Sequence, residues 1–196
     1  GRKSYLTGYG HQSDTNHNFT IMITIDNTAF TSGISFPDIL AVQTKAELLQ
    51  ICKKLDLYVR PNLKKDETVH RVAVAMMTNP INILSILNKQ ELLIVDEFIK
   101  GGPNTYVTRK MRKTPNKLQK FSLVLTFEDE QKQEWKMLMP DSVRNALSVS
   151  LPAYLDLAQR GVKPPSPKQL RMMAAMQRLM DEGEENGAVF GESRDE

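Results

Sequence analysis

The fold of this chain is decided by residues 44–79, TKAELLQICKKLDLYVRPNLKKDETVHRVAVAMMTN. Thr44 and Glu47 have the spacing of a capping box, and apolar residues follow them at helical intervals. The segment DLYVRPN has extended character, and a second helix is expected from about Leu63 until Pro80 ends it. The stretch therefore predicts a helix, an extended segment and a second helix.

The residues before this stretch, 1–43, are expected to form an N-terminal arm. Residues 1–18 are polar and resemble a loose extension, whereas FTIMITI at 19–25 alternates and is rich in β-branched residues. We therefore predict one strand at 19–25, which is a candidate third strand for a sheet formed later in the chain.

The residues after it, 80–161, are expected to form a second unit. Asn88 and Glu91 form another capping box, which predicts a helix that ends before the Gly-Gly-Pro at 101–103. A basic segment follows as a helix or turn. Two β-prone runs, LVLTF and EWKMLM, flank the acidic EDEQKQ and predict a hairpin with a polar tip. Two further short helices end at Gly161.

Residues 162–196 are expected to form an appendage. VKPPSP favours an extended linker, and Ser166 and Pro167 have the residue types that begin a helix. That helix is predicted from Lys168 to about Asp181 and is followed by an acidic tail. The predicted fold class is therefore mainly α with a small antiparallel β element.

Composition favours a folded protein of a reducing compartment. The chain has 196 residues, 40% of them hydrophobic and 25% charged, and its single cysteine, Cys52, has no partner for an internal disulfide. No apolar run reaches the roughly 18 residues of a membrane span, and the N-terminus lacks a secretory pattern. We expect a soluble cytoplasmic protein that does not act in a membrane.

The helix-extension-helix stretch resembles the fold shared by the N-terminal domain of the transcription termination factor Rho and by SAP domains. The shared features are Glu47-Leu48 at the start of the first helix, Leu55 and Leu57 around its end, and Lys64-Lys65 at the start of the second. Asp56 and Leu63 stand nearest to the positions where these families often carry glycine. The resemblance implies a small nucleic-acid-associated module with Lys64, Lys65 and Arg71 near phosphates.

Residues 88–147 resemble a winged helix in their order of a capped helix, a basic connection, a hairpin and a closing helix. The segment KLQKFSLV at 117–124 is similar to the exit of the recognition helix in many such domains, and Ser122 stands where glycine is common. The resemblance implies a winged-helix-like domain over about 80–161.

The strongest functional signal is the run from Lys100 to Lys120, which holds seven bases and no acid. Such a cluster binds duplex phosphates through counterion release. An acidic protein partner and plain solvation of a basic face are the alternatives. The candidate contacts in this run are Arg109, Lys110, Arg112, Lys113, Lys117 and Lys120, to which Arg60, Lys64, Lys65 and Arg71 are added from the first unit.

Two features favour protein contact instead. Acids at the hairpin tip, from Glu128 to Glu134, would repel a phosphate backbone, and residues 181–196 carry a net charge of −6 against +9 for residues 1–180. The last helix is rich in methionine, whose flexible side chain suits a partner surface or a second copy of the chain. Its candidate contacts are Met172, Met173, Met176 and Met180; packing against its own body is the alternative.

No pattern indicates catalysis or a cofactor. The three histidines, His11, His17 and His70, have no neighbouring ligands at metal spacing, and Cys52 lies on an apolar helix stripe. No phosphate-binding glycine loop or nucleophile elbow occurs. We expect a non-enzymatic accessory or regulatory protein that binds nucleic acid, with DNA favoured, or alternatively an adaptor that binds proteins.

Overall fold

A computed structural model describes residues 34–103 and 105–194, with side chains up to residue 186. The predicted arm at 1–18 and the predicted strand at 19–25 lie outside the described residues. Within them the fold is mainly helical with one three-stranded antiparallel sheet, which confirms the predicted fold class.

A short helix, α1 (Phe36–Leu40), opens the described chain in a region that the sequence assigned to the arm. Ser35 caps it, and its apolar residues are buried against the body rather than exposed. Residues 34–43 therefore belong to the described body, although the sequence assigned them to the arm.

The predicted helix-extension-helix is present as α2 (Lys45–Lys54) and α3 (Lys65–Thr78). Thr44 and Glu47 form the capping box that the sequence predicted. After α2, the Leu57 amide donates to the Cys52 carbonyl at 2.8 Å, and Asp56 has a left-handed φ of 56°. This hydrogen-bonding pattern ends the helix and turns the chain into the extension.

The second unit begins with α4 (Pro80–Leu84) and α5 (Lys89–Gly101), and the Asn88–Glu91 capping box is also confirmed. Next come β1 (Tyr106–Lys110), α6 (Lys117–Lys120), β2 (Leu125–Asp129) and β3 (Glu134–Leu138). The predicted hairpin is thus β2–β3.

Strand β1 corrects the expectation that the basic segment starts as a helix or turn. Tyr106, Val107 and Thr108 are aromatic or β-branched, and Val107 is buried, so this edge joins the sheet. The sheet order is β1-β3-β2, with Arg109 opposite Trp135 and Lys110 opposite Glu134. The third strand of the described sheet therefore comes from residues 106–110.

The body closes with α7 (Asp141–Ser148) and α8 (Leu151–Gln159), and Gly161 ends α8 with a φ of 71°. After the proline linker, α9 (Pro167–Arg194) begins at a Ser166–Gln169 capping box. This helix runs past the predicted end near Asp181, so the acidic segment continues the helix as far as Arg194.

One main hydrophobic core spans both predicted units. It includes Leu48 and Met76 from the first unit and Phe98, Leu118 and Met137 from the second. A smaller cluster on the other face of the sheet contains Ile34 and Ile39 with Phe127 and Leu138. The boundary predicted at residue 79 is therefore a change of motif within a shared core.

Candidate nucleic-acid interface

The acid-free basic run is divided among three structural settings. Arg109 and Lys110 end strand β1, residues 111–116 form a loop, and Lys117 and Lys120 belong to the four-residue helix α6. Leu118 and Gln119 are buried between those two lysines, so α6 presents only part of its surface to solvent.

Three bases of the run are paired with acids of α5. Arg109 forms a salt bridge with Glu97, and the Lys117 ammonium lies 3.3 Å from a carboxylate oxygen of Glu91. Lys100 lies 2.8 Å from Asp96, and its hydrogen bond to that carboxylate, together with the negative charge, raises the pKa of the Lys100 ammonium. These pairs reduce the positive charge that the sequence alone suggests for this surface.

The other four bases of the run are exposed and form no ion pair or hydrogen bond through their side chains with any residue in the described part of the chain. They are Lys110, Arg112, Lys113 and Lys120. We refer to these four residues as the basic loop set. Arg112 and Lys113 lie within the 111–116 loop, Lys110 ends the strand β1 before it, and Lys120 ends the helix α6 after it.

Glu91 holds that loop in place, a role that its capping position alone did not reveal. One carboxylate oxygen accepts a hydrogen bond from the Asn88 amide at 2.8 Å, and the other accepts one from the Lys117 amide at 2.7 Å. The Glu91 side chain is buried, and these hydrogen bonds are partly shielded from water. The start of α6 is thereby attached to the start of α5.

The candidate bases of the first unit have mixed roles. Lys65 donates from its ammonium to the Ala41 carbonyl at 2.8 Å, and Arg71 pairs with Glu67 at 3.1 Å one helical turn away. Arg60 and Lys64 are exposed and form no side-chain contact of this kind with a described residue. Lys65 therefore connects α3 to the turn after α1.

A shallow groove lies between the extension and α3. Tyr58, Arg60, His70 and Arg71 line it together with aliphatic residues, among them Val74. Tyr58 is 82% exposed, which is unusual for a large aromatic side chain. An exposed ring beside two arginines combines a stacking surface with positive charge, as in proteins that bind nucleic-acid strands.

The turn at 41–43 joins the first unit to the basic loop. The Gln43 side-chain amide donates to the Ser122 hydroxyl at 2.9 Å, and both residues are buried. The Lys65 ammonium is linked to the Lys120 Cα by covalent bonds and two hydrogen bonds through this turn. The sum of these bond lengths limits the distance between the two atoms to at most about 30 Å. One turn of duplex DNA extends about 34 Å, so the two groups of bases lie within reach of one turn.

The acidic hairpin tip lies beside the basic loop rather than apart from it. Lys110 is paired with Glu134 in the sheet register, and the Met111 amide donates to the Gln133 carbonyl at 2.9 Å. Asp129 also lies 3.9 Å from the Lys136 ammonium. The surface at this end of the sheet therefore has both signs of charge.

The four methionines that the sequence assigned to a partner, Met172, Met173, Met176 and Met180, are all exposed on α9. The same helix contacts the body through Arg171, whose guanidinium lies 2.6 Å from the Asp56 carboxylate. The helix therefore packs against the body in part, as the alternative expected, while these four methionines stay exposed among the described residues.

Cys52 lies in the main core, as its place on the apolar stripe of α2 predicted. Burial raises the pKa of its thiol from 9.0 to about 11. Among the described residues, no three His, Cys, Asp or Glu side chains lie close enough together to hold a metal ion.

No helix in the described ranges combines the length and the apolar character that a membrane crossing requires. Comparison with protein-family models, with curated proteins and with solved structures found no match for this chain.

Proposed function

We propose that this protein is a non-enzymatic accessory or regulatory protein that binds nucleic acid, with duplex DNA as its preferred ligand. The observation that carries the proposal is the basic loop set: four exposed bases within an acid-free run, none of them paired with a described acid. Exposed bases release condensed counterions when they meet phosphates, which drives binding without any base-specific contact.

Arg60 and Lys64 extend the proposed surface across the 41–43 turn. Both side chains are exposed, and Tyr58 beside Arg60 adds a ring on which an unpaired base can stack. Arg109, Lys117 and Arg71 contribute less, because each is already paired with a glutamate of this chain.

The backbone supports the two family resemblances. Asp56 and Ser122 stand where those families often carry glycine, and their φ values are 56° and 58°. This left-handed conformation is one that glycine adopts readily and other residues adopt rarely. Leu63, nearest to the other glycine position, has no such φ, and we propose a Rho N-terminal or SAP-like module followed by a winged-helix-like domain as the fold of the two units.

The test is fluorescence anisotropy of the full chain with labelled duplex DNA, single-stranded DNA and RNA. We expect micromolar or tighter binding to the duplex at low salt. Replacing Lys110, Arg112, Lys113 and Lys120 with glutamine should weaken it by at least about tenfold, through lost phosphate contacts.

The matched control replaces Lys45, Lys53, Lys54 and Lys89 with glutamine. These four lysines form no side-chain ion pair with a described residue, and their replacement changes the net charge equally. This control should retain most of the affinity. Absence of binding to all three probes at low salt would overturn the proposal.

The second candidate function is a protein-binding adaptor. The acidic hairpin tip beside the basic loop and the exposed methionines of α9 favour it. If none of the three nucleic acids binds, this becomes the leading proposal. It then predicts that a purified partner protein binds the intact chain but not a chain shortened to residues 1–166.

A further inference from the structure

Helix α9 has an exposed apolar stripe that described residues cover only in part: three of its methionines line a shallow groove with Pro164 and Pro165 of the linker. Its five large apolar residues between positions 172 and 180 have exposed fractions from 53% to 68%. They are Met172, Met173, Met176, Leu179 and Met180. At 100° per residue they fall within an arc of about 120°, which is the width of a helix face that packs against another element. We call these five residues the methionine stripe.

The methionine stripe points away from the protein body. Pro167 is buried, Leu170 and Ala175 are half-buried, and Arg171 pairs with Asp56. On a helical projection Pro167, Leu170 and Arg171 lie about 120° to 180° from the centre of the stripe, whereas Ala175 lies about 100° from it, on the flank next to Leu179. The helix is thus attached to the body by one side and presents its apolar side to solvent.

The charges of α9 are separated along its length. Residues 167–178 contain three bases and no acid, whereas residues 179–186 contain four acids and no base. The bases are Lys168, Arg171 and Arg178; the acids are Asp181, Glu182, Glu184 and Glu185. A parallel pair of such helices would bring the two acidic halves together, whereas an antiparallel pair brings each acidic half beside a basic half.

We propose that the chain forms a homodimer in which two α9 helices pack antiparallel through their methionine stripes. A twofold axis at Met176 maps the stripe of one copy onto the stripe of the other. Met172 then lies level with Met180 of the second copy, and Met173 lies level with Leu179 of the second copy. The same axis brings Lys168 to the flank of Glu182 in the second copy. Flexible thioethers fill such a seam without demanding one exact shape. This proposal does not depend on nucleic-acid binding.

The first test is the mass of the full chain in solution by analytical ultracentrifugation, from micromolar to millimolar concentration. We expect a monomer–dimer equilibrium. Met176→Glu brings two carboxylates together at the axis and should raise the dimer dissociation constant by at least about tenfold. Ala174→Glu adds the same charge outside the stripe and should leave that constant within about threefold. Circular dichroism verifies that both variants keep their helices.

Charge reversal tests the antiparallel pairing. Lys168→Glu and Glu182→Lys should each weaken the dimer, and the double variant should restore it, because each copy then offers the reversed pair. Failure of the double variant to restore the dimer would overturn the proposed orientation.

Disulfide trapping tests the register. A mixture of Met172→Cys and Met180→Cys chains should form the mixed disulfide, whereas Met172→Cys alone should not cross-link, because the two 172 positions lie about 12 Å apart along the axis. The native Cys52 is buried and stays out of the reaction. A self-linked Met172→Cys dimer would overturn the antiparallel arrangement.

A chain that remains monomeric over the whole range overturns the dimer. The oxidation rate of Met176 then distinguishes the two remaining covers of the methionine stripe. Protection of Met176 in the monomer would identify residues 1–33 of the same chain as the cover, and rapid oxidation would leave the stripe for a different protein.

Discussion

Ser122 illustrates how one residue serves both the backbone and the packing. Its φ of 58° is costly for a residue with a Cβ, by about 1 kcal/mol relative to glycine. Its buried hydroxyl nevertheless accepts the hydrogen bond from Gln43 that joins the first unit to the end of α6. The side chain therefore explains why glycine is absent from this position.

Ser122→Ala should destabilise the protein by about 1 to 3 kcal/mol, because the buried Gln43 amide loses its acceptor while the strained backbone remains. Ser122→Gly loses the same hydrogen bond but relieves the backbone, so it should be more stable than Ser122→Ala by about 1 kcal/mol. Urea denaturation measures both differences. A glycine variant less stable than the alanine variant would contradict this explanation of the left-handed turn.

A second prediction for a single residue concerns the thiol of Cys52. Burial raises its thiol pKa to about 11, so the folded state holds the proton more tightly than the unfolded chain does. The contribution to stability is constant below the unfolded pKa and falls as pH rises from about 9 toward 11. A thiol reagent at pH 8 should modify Cys52 slowly in the native protein and rapidly in urea.

The control for this prediction is Cys52→Ala. Its unfolding free energy should decline less steeply above pH 9 than that of the native chain, since the titrating thiol is gone. Rapid labelling of the native protein would show that Cys52 is accessible, against its placement in the core.

At the level of elements, Glu91 connects α5 to α6 and fixes the point where the 111–116 loop ends. It receives hydrogen bonds from the amides of Asn88 and Lys117 and an ion pair from the Lys117 ammonium. Glu97, one and a half turns further along α5, also pairs with a base of the run but at an exposed position. The two glutamates form a matched pair for a test.

Glu91→Ala should lower the free energy of unfolding by about 1.5 to 3 kcal/mol, because two partly buried amides lose a charged acceptor. Glu97→Ala should change it by less than about 1 kcal/mol, as expected for an exposed ion pair. Denaturation by urea gives both values, and hydrogen exchange at residues 111–117 should accelerate in the first variant only. Equal effects of the two substitutions would contradict the role assigned to Glu91.

The elements also show what the sequence can predict. The capping boxes at Thr44–Glu47 and Asn88–Glu91 depend on local spacing, and both helices begin where these pairs predict. Strand β1 was missed because its pairing with β3 is a long-range contact and its bases resemble a helix surface. The hydrogen bond from the Lys117 amide to the second carboxylate oxygen of Glu91 was missed for the same reason, because these two residues are distant in sequence.

For the whole molecule, the distribution of charge limits the proposed interface more than the total charge does. The chain carries only +3, and much of the basic run is neutralised by Glu91, Asp96 and Glu97 of α5. The sequence alone could not distinguish lysine and arginine side chains that pair with acids from those that do not. What remains exposed is a compact group beside an acidic hairpin tip, which favours phosphate contact through the loop rather than through the hairpin.

The basic loop set and the methionine stripe lie on different elements of the molecule. The basic loop set lies at the end of the sheet, while the methionine stripe lies on a helix that contacts the body through Asp56 and α4. Tyr58 of the extension lines a groove with Arg171 of the same helix, on the side away from the stripe. We therefore expect Met176→Glu to abolish dimerisation without changing the nucleic-acid affinity of one chain at low protein concentration.

If the basic loop set contacts phosphates, its removal changes the salt dependence of duplex binding. The slope of log affinity against log salt should fall in magnitude by about 3 to 4 when Lys110, Arg112, Lys113 and Lys120 become glutamine. The control with Lys45, Lys53, Lys54 and Lys89 replaced should keep the native slope within about 1. Equal slopes for the two variants, or no duplex binding by the native chain, would contradict the account.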